Sequence, residues 1–124
     1  MGKNTGKGNP AYDKAYALAV RVVKCCQYLA RNKREYVLSR QLLRSGTSIG
    51  ANVAEANGPI SDADFSAKMS LAYKECKETQ YWLNLLKDTG YLDQAAFDSM
   101  HTDADEVGAI LFSIIRTTRI APKG

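Results

Sequence analysis

The chain has 124 residues, 45% of them hydrophobic and 24% charged, with a net charge of +4. That size and balance fit one ordinary globular domain, large enough to bury roughly two thirds of its unfolded surface without staples. No apolar run approaches the ~18 residues of a membrane span, and three cysteines without a C-x-x-C pair argue against a disulfide framework or zinc site and for a reducing cytoplasm.

Residues 1–10, MGKNTGKGNP, lack the apolar stretch of a secretory signal. Gly6 stands where a myristoylation motif wants Ser or Thr. This segment is expected to be a flexible basic tail. The first helix is predicted from about Ala11 to Asn32. Ala15, Leu18, Val22, Cys25 and Leu29 make one heptad-spaced stripe, and Tyr12, Tyr16, Ala19, Val23, Cys26 and Ala30 make a second beside it. Lys14, Arg21, Lys24, Tyr28 and Arg31 are left for the outside, and Asn32-Lys33-Arg34 is a polar break.

The second helix is expected to enter near Tyr36 to Ser39 and to stop at Gly58-Pro59. Leu42, Gly46, Ile49, Val53 and Ala56 share one face. Gly46, Gly50 and Ala54 line a neighbouring face, where missing side chains let another backbone come close. Ser61 is the N-cap expected for the third helix, with Asp62 and Asp64 in its first turn. Its core stripe is Phe65, Met69, Ala72, Cys76, Thr79, Leu83 and Leu86, and Thr89-Gly90 ends it. Asp93 is the N-cap candidate for the fourth helix, whose stripe runs Phe97, Met100, Ala104, Val107, Leu111 and Ile114 and ends near Thr118.

Four long amphipathic helices with short connections predict an all-α protein, an up-down-up-down, left-handed antiparallel four-helix bundle over residues 11–119. Residues 120–124 are expected to form a short C-terminal tail. Charge is uneven along the chain. Residues 1–50 carry ten Lys or Arg against two acids, a net of +8, and residues 51–124 carry seven against eleven, a net of −4. The first half is a candidate polyanion-binding surface, and pairing of basic and acidic halves between copies is an equal possibility.

Two stretches identify a relationship. Ser48-Ile49-Gly50-Ala51-Asn52-Val53-Ala54-Glu55 is like the motif S-I-x-A-N-I-A-E, with Gly50 where many members have Pro. Ala72 to Leu83, reading AYKECKETQYWL, is similar to A-x-K-E-A-x-E-T-x-Y-W-L, and Gly90-Tyr91-Leu92 follows it. The chain thus resembles the bacterial four-helix-bundle family of 23S rRNA intervening-sequence proteins, over nearly all of Tyr12 to Ile115. The resemblance implies a homopentameric ring associated with ribosomal RNA genes. A related bundle is the accessory protein of diversity-generating retroelements, a basic pentamer that binds a reverse transcriptase and nucleic acid.

No catalytic constellation, phosphate loop or cofactor motif is present, so the chain reads as a non-enzyme without a cofactor. His101 has Asp98 three residues before it, but one histidine cannot build a di-metal bundle site, and no metal site is assigned. The basic residues Lys14, Arg21, Lys24, Arg31, Lys33, Arg34, Arg40 and Arg44, with Tyr28 for stacking, form the candidate nucleic-acid surface, against the plainer reading of a solvated face. Asn52, Glu55, Glu75 and Glu78 read as a structural polar network satisfied by Arg44, Lys74 or a helix-end amide, with a ligand-binding carboxylate cluster as the alternative. Tyr81, Trp82, Leu85 and Tyr91 fall off the core stripe and are expected at a subunit interface, unless one broad face packs two helices.

Overall fold

The computed structural model describes residues 9–120, and side chains as far as residue 118. Apart from residues 9, 10 and 120, the two expected tails lie outside the described residues. Four helices fill the rest: α1 (Pro10–Lys33), α2 (Val37–Ala56), α3 (Asp62–Asp88) and α4 (Gln94–Ile120). Among the described residues there is no strand. No helix is long and apolar enough to cross a membrane among them either.

Most of the helix boundaries have a local chemical cause. The Asn9 side chain accepts from the Tyr12 amide at 3.1 Å, and Pro10 opens α1 where its missing N–H costs nothing. The polar break ends α1: Arg34 takes a left-handed backbone conformation (φ 55°), and the Glu35 amide returns to the Leu29 carbonyl at 3.0 Å. Ser61 caps α3 through the Asp64 amide at 3.1 Å, and Asp93 caps α4 through the Ala96 amide at 2.8 Å. Gly90 supplies the positive φ (87°) that turns the chain out of α3, while the Tyr91 amide bonds back to Leu86 at 2.8 Å.

The start of α2, at Val37 within the expected entry from Tyr36 to Ser39, is held by a side chain that precedes it. Glu35, buried among these residues, turns both carboxylate oxygens onto the helix: the Leu38 amide donates at 3.0 Å and the Ser39 amide at 2.8 Å. The Ser39 hydroxyl donates to the Glu35 carbonyl at 2.9 Å. Glu35→Ala strands two amides at a buried corner, and we expect a loss of about 1–2 kcal/mol in denaturant unfolding.

The helices form a closed cycle: α1 packs on α2, α2 on α3, α3 on α4, and α4 on α1. Contacts run in opposite numerical order along three of these pairs. Val22 meets Gly46 and Ala15 meets Gly50, Ser45 bonds Thr79 and Glu55 pairs with Lys68, and Lys14 pairs with Glu106 while Arg21 pairs with Asp103. Leu18, Val22 and Leu29 of α1, Leu42, Ile49 and Val53 of α2, Leu83 and Leu86 of α3, and Val107 and Leu111 of α4 fill the centre. The small-residue face of α2 is used as expected. A side chain added at Gly50 would come within 3.6 Å of the Ala15 carbonyl oxygen, and Gly46 lies under Val22.

One part of the α1 pattern sits differently. Of the two adjacent stripes, Cys26 is buried, Cys25 is half-buried, and Tyr16 and Val23 stay exposed, as does Val20 outside both stripes. Residues 16, 20 and 23 lie on one helix face, so they form an apolar strip on the outside of the bundle.

Candidate nucleic-acid interface

The expected basic surface divides into two groups. Lys14 pairs with Glu106 at 3.1 Å across the α1–α4 contact. Arg21 bonds the Asp103 carboxylate, the Ser99 hydroxyl at 2.8 Å and the Ser99 carbonyl at 3.3 Å. Arg44 bonds Glu75 at 3.2 Å and Glu78 more closely. These three cations are therefore already paired between helices at the bundle surface. Lys24, Arg31, Lys33, Arg34 and Arg40 are exposed and form no ion pair among the described residues. They run from the outer half of α1 through the α1–α2 turn to the first turn of α2. Tyr28, exposed at 43%, sits between Lys24 and Arg31 on the same helix face.

The expected polar network separates as well. Glu75 and Glu78 converge on Arg44, and the Trp82 indole N–H donates to Glu78 at 3.0 Å. Glu55 instead pairs with Lys68 at 2.7 Å, and the Asn52 amide donates to its own helix at Ser48, 2.9 Å away. The Arg44 guanidinium, helped by the Trp82 indole, lowers the Glu78 carboxyl below its usual 4.5. A depressed carboxyl contributes stability above its unfolded value and loses it as pH falls through the folded one. Because the pair is partly exposed, Arg44→Gln should cost no more than about 1 kcal/mol near pH 7. That difference from the parent protein should close as unfolding is repeated below the ordinary carboxylate range.

His101 lies 3.4 Å from Asp105 and against the Phe97 ring, while Asp98 accepts from Gln94 at 2.8 Å. Among the described residues no three His, Cys, Asp or Glu side chains converge as metal ligands would. Tyr81 is 59% exposed and meets Trp82 edge to face at 4.9 Å. Leu85 and Tyr91 are half-buried. Tyr91 and Tyr28 both line a cleft of about 490 Å³ between α1 and the α3–α4 connection.

The profile of the family described as 23S rRNA-intervening sequence protein matches residues 7–113. The chain belongs to that family. A crystal structure of a protein of unknown function from the S23 ribosomal protein family of Bacteroides thetaiotaomicron superposes with a TM-score of 0.85. It is 45% identical, over 86% of this chain and 99% of that one. Comparison with curated proteins gives no match.

In this family member the two motif segments lie on the helices that meet at the α2–α3 contact. Just before the first motif, Ser45 and Arg44 reach into the second: the buried Ser45 and Thr79 hydroxyls bond at 3.0 Å, and Arg44 bonds Glu75 and Glu78. The second motif also serves α4: Cys76 donates to the Ala104 carbonyl at 3.2 Å, and Gln80 donates to Asp105. Sequence patterning misses Glu35 and Gln80, because a buried polar residue reveals itself only through the partner a neighbouring element supplies. Burial pushes the thiols up, Cys26 to about 12 and Cys76 to about 11, and raises Cys25 despite nearby Arg21. At neutral pH all three are neutral thiols and poor nucleophiles. Alkylation should be slow in the folded protein and should reach three thiols once it is unfolded.

Proposed function

We propose that this family member is a non-enzymatic cytoplasmic assembly protein, a homopentameric ring of left-handed, up-down-up-down bundles that associates with structured RNA, with 23S rRNA the leading candidate. The observation that carries the RNA reading is the run of five cations, Lys24, Arg31, Lys33, Arg34 and Arg40, left without carboxylate partners among the described residues. Such side chains bind phosphates regardless of sequence, and Tyr28 between them offers a stacking face. Support for assembly comes from the exposed apolar strip Tyr16, Val20 and Val23 and from Tyr81 beside Trp82. Five copies would present the basic run five times, and weak contacts would gain by avidity.

The alternative is a protein scaffold that docks a partner such as a reverse transcriptase. The same apolar strip favours it, since a strip facing outward fits a protein surface better than a phosphate backbone. Two measurements decide. Native mass spectrometry should give five subunits. Anisotropy of labelled rRNA, with nuclease-treated protein and increasing salt, should show binding with a steep negative salt dependence. Absence of binding at low salt removes the RNA reading and leaves the scaffold.

A further inference from the structure

The cleft between α1 and the α3–α4 connection has the features of a ligand site. Its volume, about 490 Å³, lies in the range of small-molecule pockets, about 300–1,000 Å³. Cys25, Leu92 and Met100 contribute apolar lining, and two tyrosines, Tyr28 and Tyr91, line it as well. Lys24 stands at its edge without an ion pair among the described residues, and Arg21 is fixed beside it by Asp103 and Ser99. Asp93 also lines it and spends only one carboxylate oxygen on the Ala96 amide. A cleft lined by apolar side chains, two tyrosines, a lysine without an ion pair and a spare acceptor matches one class of compound. A nucleotide has a flat base to stack, amino groups to donate and a phosphate to pair.

We infer that this cleft holds a single nucleotide, its base against Tyr28 and Tyr91 and its phosphate on Lys24. The inference rests on the RNA reading above and sharpens it. The basic run holds the strand, and the cleft takes one unpaired base from it. Asp93 accepts from an exocyclic amino group of that base. A free nucleoside monophosphate has the same chemistry as a strand nucleotide, so the test separates the two sources.

The probe is a single-stranded RNA with a terminal dye and one 2-aminopurine. Dye anisotropy reports binding of the strand, and quenching of the 2-aminopurine reports stacking of the base. The variants are Tyr28→Ala, which removes an exposed ring, and Ala96→Trp, which fills the cleft from an exposed position on α4. Circular dichroism and the melting temperature confirm that both fold. The parent protein should quench the probe. Each variant should lose the quenching and bind between about five- and one-hundred-fold more weakly, the range seen when one base–aromatic stack is removed. Strand binding without quenching, or quenching unchanged in both variants, overturns the cleft while the RNA reading stands. If the strand does not bind at all, the RNA reading has failed, and adenosine monophosphate alone decides the cleft. Shifts of the tyrosine ring resonances in the parent that vanish in Ala96→Trp assign it to a free nucleotide. No shift overturns it.

Discussion

Gly46→Leu should destabilise the bundle by about 3 kcal/mol, the upper end of the usual cost of overpacking. A Cβ at Gly46 would lie 2.7 Å and 2.8 Å from the two methyl carbons of Val22 and 3.1 Å from its Cβ. Val22 is fully buried, and a β-branched side chain in a helix has essentially one rotamer, so the methyls have nowhere to go. Even Gly46→Ala, which gains helix propensity, should come out destabilised by about 1 kcal/mol. Gly50 is the internal control. Its added Cβ would meet the Ala15 backbone at 3.6 Å, ordinary contact, so Gly50→Ala should raise stability by about 0.5–1 kcal/mol. Urea unfolding of the three variants checks the order. Combining Gly46→Ala with Val22→Ala should cost less than the two separate losses together, because each relieves the other. Full stability in Gly46→Leu would mean that α1 does not lie against α2 at this point.

Periodicity along the chain predicts the faces well and their partners poorly. Leu42, Gly46, Ile49, Val53 and Ala56 are all buried, as are Met69, Ala72, Cys76, Thr79, Leu83 and Leu86. Ser61, Asp93 and Gly90 end or begin helices as their chemistry requires. A spacing of three and four residues fixes which side chains share a face. It does not fix how far each helix rotates about its axis. That rotation buries Cys26 in place of Cys25 and leaves Tyr16 and Val23 outside. It also turns Arg21 from the expected outer stripe toward Asp103 on α4. Register between helices is equally invisible in one strand of sequence. Glu55 and Glu75 look alike as candidates, yet α3 presents Lys68 to the first, and α2 presents Arg44 to the second. The cleft has no sequence signal at all, because its lining comes from α1, the α3–α4 connection and α4, which only the fold brings side by side.

Neutralising Lys24, Arg31, Lys33, Arg34 and Arg40 to Gln should weaken RNA binding by about a hundred-fold or more at low salt. The logarithmic salt dependence should flatten by roughly 0.7 to 0.9 for each phosphate contact removed. Lys14→Gln with Arg21→Gln is the comparison. Both sets remove positive charge from the same half of the chain, and a simple net-charge argument ranks them by number alone. The structure separates them by partner. Lys14 and Arg21 already neutralise Glu106 and Asp103, and to reach a phosphate they would first have to give up those bonds. Removing them also exposes two unpaired carboxylates on α4, so any loss of affinity from that pair would act through added negative charge and would leave the number of released counterions unchanged. The pair should instead cost stability, about 0.2–1 kcal/mol for each partly exposed bridge. The five-residue variant should unfold like the parent, since none of its cations holds another helix. If the salt slope flattens with Lys14 and Arg21 and not with the five, phosphate binding runs along the α1–α4 seam and the proposed face is wrong. If neither set changes the slope, the cations are a solvated surface, and the exposed strip of Tyr16, Val20 and Val23 becomes the place to look for a protein partner.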